Sequence, residues 1–539
     1  MNSHTDDRMP ADIRGYHQRT KHAPNRYALG PSFLDWTSQP SPYRLFEGCR
    51  RVLLPLPSAK ETALFPGSAA EPAPLDQDAL GLFLELAFGL SAWKNYEGST
   101  WALRNNPSSG NLHPTEAYLV IDSMAGVGDK AALYHYAPLG HELEERAIYA
   151  GARVLPARGF ALALSSIPWR EAWKYGERAF RYCQLDAGHA IGSVAQAAAA
   201  LGWSARLLPE PSDEDVAALL GLTRADAAHR REPEHPDLLL WVATDDAPMH
   251  PIDMRPLVDA ARVWRGTANR LSEDHDGWPL VDLAAQFCRK PRMIAQDPAP
   301  SHQSATPAPD FGKIEVAEVV RRRRSAQRFD GEAILPRASF SAMLAALAPG
   351  AKPLLAAFPW PAALTLLLFV HRVDGVEPGL YALERNRQAA ARLRAAAPAF
   401  DWAPVDLDGS PLYRLRGGAV EKEATRLACL QPISGNGCFS LAMVADFDHT
   451  LREDGAFGYR RLHWEAGLIG QSLYLWATAA GLSGTGIGCF FDDEVHALLG
   501  LPVAETQFQD LYHFTVGAPI EDPRILTLPA YSDERRGDL

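Results

Sequence analysis

Residues 180–202 read FRYCQLDAGHAIGSVAQAAAALG and residues 459–481 read YRRLHWEAGLIGQSLYLWATAAG, and at a constant offset of 279 the two share one pattern. Phe180, Arg181, Asp186, Ala187, Gly188, Ser193, Ala198 and Gly202 fall on Tyr459, Arg460, Glu465, Ala466, Gly467, Ser472, Ala477 and Gly481. Aromatic, arginine, acidic and glycine positions kept in one register indicate a duplicated unit rather than shared composition. Residues 186–201 and 465–480 carry helical apolar spacing and stop at Gly202 and Gly481, as a helix stops at glycine. Small and apolar residues cover most of each circumference, so both helices are expected to be buried on several sides, as the spine of a two-lobed assembly.

Outward from these helices the correspondence continues at a second offset, 250. Ala117 to Val120 falls on Leu367 to Val370, and each run leads through a glycine-containing turn to a tyrosine, in ALYHY (132–136) and GLYAL (379–383). Short apolar stretches at 117–121, 160–164, 238–243, 364–370 and 439–444 read as buried strands. The expected class is α+β, with mixed sheets flanked by helices, repeated in one chain. The segment 296–312, QDPAPSHQSATPAPDFG, has no periodic pattern and reads as a linker between a first domain at 81–295 and a second at 313–539. Residues 1–80 precede both, and FLDWTSQPSPYRLF at 33–46 suggests an ordered extended arm.

Composition excludes several function classes. The 53 Lys and Arg against 65 Asp and Glu give a formal net charge of −12, which opposes nonspecific binding to nucleic-acid backbones. The N-terminal twenty residues lack the apolar centre of a secretory signal, and the most nearly membrane-like stretch, 193–201, is too short to span a bilayer. Six cysteines, at 49, 183, 288, 429, 438 and 489, form no C-x-x-C pair, so no disulfide framework and no metal are expected. A cytoplasmic protein follows as the expectation.

Three segments carry ligand-binding chemistry. RRRRSAQRFDG at 321–331, after a short helix predicted from 314–320, offers Arg323, Arg324, Ser325 and Arg328 to the oxygens of a phosphate. NNPSSGNLHPTEAYLVI at 105–121 makes a rigid turn at a strand mouth, with Pro107, Ser108, Ser109 and Asn111 as candidate contacts and His113 just behind. LSGTGIGCFFDD at 482–493 lets backbone approach a planar or anionic ligand at Gly484, Thr485, Gly486, Ile487 and Gly488. Asp492 and Asp493 would cap the short helix around 495–499. Each segment alone also fits an ordinary turn or a solvated basic cluster.

Together, and in this order, these segments resemble the nitroreductase superfamily, in particular its SagB-type or ThcOx-type dehydrogenase branch, over roughly 80–295 and 313–525. The resemblance implies two nitroreductase-like halves forming an internal pseudo-dimer around FMN. It also implies oxidation of a thiazoline or oxazoline ring by hydride transfer to flavin N5. The arginine-serine motif of one half and PSSGN of the other would share one flavin, with Gln431, Asn436 and Arg524 as further contacts. Lys174 and Tyr175, in WKYGERAFRY (173–182), look like the lysine-tyrosine pair that serves such enzymes as base. The counterparts of these motifs, AAFPWPAA and SARLLPEP, have lost the polar loop and the glycines, so one composite site is expected where symmetry would make two. HQRTK at 17–21 resembles a degraded phosphate motif, which leaves a second flavin as the alternative.

The substrate is expected to be a small molecule or a peptide, the latter delivered by peptide-modifying partner proteins. Further association of the pseudo-dimer is left open. The alternatives are an NAD(P)H-dependent reductase of nitro compounds, quinones or enones, and a nonenzymatic scaffold of the same fold. His189 is read as filling a polar notch and Cys489 as a small buried apolar residue.

Overall fold

The structure, a computed structural model, describes residues 9–56, 62–67, 71–156, 158–224, 232–245, 253–294, 311, 313–502 and 506–531. Apart from Phe311, the expected linker at 296–312 lies outside the described residues.

Each half is built on one sheet, and the two sheets repeat a strand order. In the first, Glu142–Tyr149, Ala132–Ala137, Thr115–Ile121, Gly159–Ser166, His235–Ala243 and Ser204–Leu207 lie side by side. In the second, Leu412–Gly417, Gly379–Leu383, Leu364–Val370, Phe439–Asp446, Phe508–Gly517 and Ser483–Ile487 take the same places. Each apolar stretch read as a strand is central and buried on both faces. Leu162 stands between Leu119 and Leu240, and Leu441 between Leu368 and Phe514. Runs of leucine and valine without polar alternation are what two covered faces require.

The repeated helices run Ala179–Ala200 and Gly458–Ala479, starting seven residues before the apolar pattern does. Each is entered by a 3-10 turn, Gly176–Arg178 or Gly455–Phe457, so the 279 offset holds beyond the matched residues. The helices pack on one another with their backbones nearly touching. A Cβ on Gly188 would stand 2.4 Å from the Trp464 carbonyl, and one on Gly467 would stand 2.1 Å from that of Leu185. The paired glycines of the repeat are therefore the crossing point of the two halves.

The paired arginines reach across the same seam. Arg181 donates to Asp492 of the second half at 2.6 Å, and Arg460 donates to Asp213 of the first at 2.6 Å. Asp492 thus serves the seam rather than capping a helix, and Asp493 makes no capping hydrogen bond; its carboxylate pairs with Lys21 at 2.6 Å.

The N-terminal arm is ordered where described. Its helix Ile13–Arg19 straps both halves, with the Tyr16 hydroxyl donating to Glu177 O at 2.8 Å and His17 Nε2 3.0 Å from Gln509 Oε1. HQRTK is consumed by this strapping: Thr20 and Lys21 hold Arg178, Arg181 and Asp493. Helix Gln77–Phe88 spans the expected boundary at residue 80. At the other terminus, strand Leu526–Leu528 pairs with Leu90–Tyr96 of the first half. Among the described residues no helix is long and apolar enough to cross a membrane, and no cluster of metal-ligating side chains occurs.

Candidate functional site

A cleft of about 590 Å³ opens on the seam and takes its walls from both halves. The first half supplies the hairpin Leu90–Tyr96 and Ser99–Arg104, the loop after it, and one face of its spine helix. The second supplies the arginine-serine segment, the strand Ser483–Ile487, and the chain around 519–527.

The loop is rigid for reasons visible residue by residue. Gly110, Asn111 and His113 all adopt left-handed backbone, at φ 59°, 60° and 53°. A Cβ on Gly110 would collide with the Tyr175 hydroxyl at 2.6 Å, so only glycine fits there. Ser109 donates from its backbone N and its Oγ to Asp186, at 3.0 and 2.9 Å. Ser108 Oγ accepts from His113 N at 2.8 Å, and Asn111 donates to Ala102 O at 2.9 Å. Burial outweighs the serine bonds at Asp186 and raises its carboxyl to about 7, while burial pushes His113 well below the ordinary histidine range and leaves it neutral.

The four arginines go separate ways. Arg321 pairs with Glu85 at 2.8 Å and Arg322 with Glu318 at 3.0 Å. Arg323 is buried and donates to the carbonyls of Asn105 and Arg104, both at 3.0 Å, so the second half holds the first half's loop directly. Its Nη1 is buried without a partner, and burial lowers its pKa to about 10, still far above neutrality. Arg324 donates to Arg321 O and Ser91 O, at 2.8 and 3.1 Å.

Ser325 forms a parallel bridge with Gly484, and its Oγ lies 2.9 Å from the Tyr474 hydroxyl, which also accepts from Gly486 N at 3.0 Å. The glycine-rich segment is thus an edge strand. Its glycines are already explained by protein neighbours: a Cβ on Gly486 would strike the Tyr512 hydroxyl at 1.8 Å, and one on Gly488 the Tyr182 ring at 2.3 Å.

The cleft lining gathers Tyr175, Pro107, Ser108, Ser109, Asn111, Arg323, Arg324, Ser325, Gln431, Thr485, Gly486, Ile487 and Gly488. Lys174, Arg328, Asn436, Gly484 and Arg524 do not line it. Lys174 is half-buried with Nζ 5.3 Å from the Tyr175 ring centre, Arg328 and Asn436 are exposed, and Arg524 pairs with Asp522 at 2.6 Å. Gln431 donates to Ala428 O and Cys489 O, at 2.9 and 3.0 Å.

Sequence reasoning missed Lys94, Trp101, Tyr182, Asp186, His189, Tyr474 and Tyr512 as lining residues. Tyr182, Asp186 and His189 share a helix face by their spacing of four and three, a signal present in the repeat itself. His189 is buried, its Nε2 3.1 Å from the Tyr512 hydroxyl, and it borders the cleft. Tyr474 falls opposite Ala195 in the repeat, so the duplication pattern carried no hint of it.

The pseudo-symmetric position is filled by side chains. Where the first half has its polar loop, Trp360 packs at 6.1 Å from Trp464 and 5.8 Å from Phe457. Where the rings of Tyr175 and Tyr182 meet at 4.5 Å, tilted by 52°, the second half has Asp454 and Arg461 in an ion pair. Lys290 Nζ comes 5.6 Å from the ring of Phe457 in the same cluster.

The sequence pattern of the Nitroreductase family matches residues 70–229 and 320–518. A Methanocaldococcus jannaschii protein named as a nitroreductase is 26% identical over 194 residues, which is 35% of this chain and 87% of that protein. The crystal structure of an Anabaena variabilis protein described as a nitroreductase shares the fold with a TM-score of 0.67, over 94% of this chain and 100% of that one, at 22% identity.

Proposed function

The chain belongs to the nitroreductase family, and from that premise we propose that it is an FMN-dependent oxidoreductase that takes electrons from NAD(P)H and reduces a small electron-poor substrate, such as a nitro compound, a quinone or an enone. The observation that carries this reading is the seam cleft, whose lining combines the guanidinium and ammonium groups of Arg323, Arg324 and Lys94 with the phenols of Tyr175, Tyr182 and Tyr512. The residues fit the cofactor: Arg323, with an unpartnered buried Nη1, Arg324 and Lys94 suit its phosphate. The rigid loop from Pro107 to Asn111, Gln431 and the strand from Thr485 to Gly488 suit its ring. Bound there, FMN would supply a ring that accepts and returns a hydride.

The chain's own groups then set direction. Burial holds the hydroxyls of Tyr175 and Tyr512 well above the ordinary phenol range and that of Tyr182 at about 12, so each is a proton donor at neutral pH. Donors beside a hydride source suit reduction. Dehydrogenation of an azoline ring would need a base, and Lys174 lies outside the cleft lining. The reductive reading also requires no peptide-modifying partner.

Anaerobic titration tests it. The FMN-loaded chain should lose its flavin absorbance on addition of NADPH and regain it with a quinone or nitroarene. A folded chain that binds no FMN, or one bleached by an azoline peptide and not by NAD(P)H, overturns the proposal.

A further inference from the structure

Two of the six cysteines meet at the rim of the cleft. The Sγ atoms of Cys429 and Cys489 are 2.7 Å apart, closer than two nonbonded sulfurs ordinarily approach, although 60 residues separate them in sequence. Both side chains are half-buried, and Cys489 lines the cleft. The flanking backbones are fastened together: Phe491 N donates to Leu427 O at 2.9 Å, and the Gln431 amide bridges Ala428 O and Cys489 O. Cys429 and Leu430 both adopt left-handed backbone, at φ 50° and 62°, a conformation that non-glycine residues hold only where surrounding structure enforces it. Arg178 reaches the same corner, donating to Gly488 O at 3.1 Å.

We propose that Cys429 and Cys489 are a redox-active dithiol, a second reactive site on the cleft wall whose substrates are low-molecular-weight disulfides. The shared proton with Cys429 draws the Cys489 thiol below its ordinary pKa, with the nearby Arg178 charge acting in the same sense, whereas Cys429 is raised. Cys489, the member of the pair that lines the cleft, is therefore the attacking thiolate. It displaces one thiolate from a disulfide RSSR and forms a Cys489–SR mixed disulfide. Cys429 gives up its proton and attacks Cys489 Sγ, which forms the internal disulfide and expels the second thiolate. Two electrons leave the cysteine pair and reduce RSSR to two RSH, so the protein is oxidised by one S–S bond. Closing the pair to the bonded separation of about 2.0 Å needs a side-chain movement below about 1 Å.

The test uses the full chain, equilibrated in buffers of oxidised and reduced glutathione and then alkylated and mapped by mass spectrometry. Oxidation should remove both thiols together with a loss of two hydrogens from one Cys429–Cys489 cross-linked peptide pair, and dithiothreitol should restore both. In Cys429→Ser, the same oxidised buffer should leave glutathione trapped on Cys489. Full alkylation of both cysteines in oxidised glutathione, or cross-links only between chains, overturns the proposal. Failure of folded Cys429→Ser to trap the mixed disulfide overturns the assignment of Cys489 as the attacking group. None of these readouts depends on flavin or on NAD(P)H.

Discussion

Arg181 and Asp492 meet at 2.6 Å across the seam, and the same contact recurs 279 residues on between Arg460 and Asp213, so each half plants a guanidinium in the other. Asp492 is buried with a second arginine, Arg178, at 3.1 Å, and its carboxyl is held down at about 2 because the two guanidinium charges outweigh burial. Asp492→Ala should therefore lower stability by about 3–5 kcal/mol, since it strands two buried cations. Urea unfolding of the cofactor-free chain reads this directly, and a change within error would remove the seam from the account of stability.

Arg323 and Ser109 come from different halves of the chain and both line the cleft. Arg323→Ala and Ser109→Ala should each weaken FMN at least about tenfold, or ~1.4 kcal/mol. Arg323→Lys should recover only part of the loss, because an ammonium does not span the carbonyls of Arg104 and Asn105 as a guanidinium fork does. Flavin-fluorescence titration of variants with native circular dichroism checks both; unchanged affinity in the two alanine variants would dissolve the composite site.

Asp186 gives a pH signature. Its folded-state carboxyl sits at about 7, above the ordinary aspartate value, so its contribution is fully present below pH ~4 and is lost as pH rises through 7. Asp186→Asn keeps an acceptor for Ser109 and removes the titration. The variant should gain on wild type between pH 5 and 8, by a difference on the order of 3 kcal/mol. A wild-type-to-variant difference that stays flat with pH would show that Asp186 remains an ordinary carboxylate.

The chain around 519–527 also lines the cleft. The Tyr531 hydroxyl accepts from Leu90 N and donates to Pro138 O, both at 2.8 Å, and anchors the strand Leu526–Leu528 on the first half. Tyr531→Phe should cost about 1–3 kcal/mol, since Leu90 N loses a buried acceptor. Hydrogen exchange should rise along Leu526–Leu528 and the Leu90–Tyr96 strand; protection unchanged there would mean the tail is held by other contacts.

Much of this was legible in sequence because duplication writes packing into register. Gly188 with Gly467 and Arg181 with Arg460 were matched before their contacts were known, and they proved to be the crossing point and the cross-seam clamps. The buried strands were legible for the simpler reason that a strand covered on both faces is apolar throughout. The hairpin Leu90–Arg104 and the short strand Leu526–Leu528 were not legible, because they form a small, partly exposed sheet whose residues carry no period. Of the four arginines in the basic run, helical geometry turns Arg321 away toward Glu85, while Arg322, paired with Glu318, lines the cleft beside Arg323 and Arg324. Tyr474 and Tyr512 escaped notice because a tyrosine in an apolar helix or strand reads as core until its hydroxyl is seen to face a cavity.

Trp360, packed where the second half would otherwise carry a polar loop, has a kinetic consequence. A symmetric pair of clefts can communicate, so that filling one alters the affinity of the other. Among the described residues the twin position is packed by Trp360, Phe457 and Trp464, so the cleft has no open counterpart there to receive such a signal. Occupancy should trace a plain hyperbola with a Hill coefficient of about one, and dilution should leave it unchanged, because both walls travel on one polypeptide.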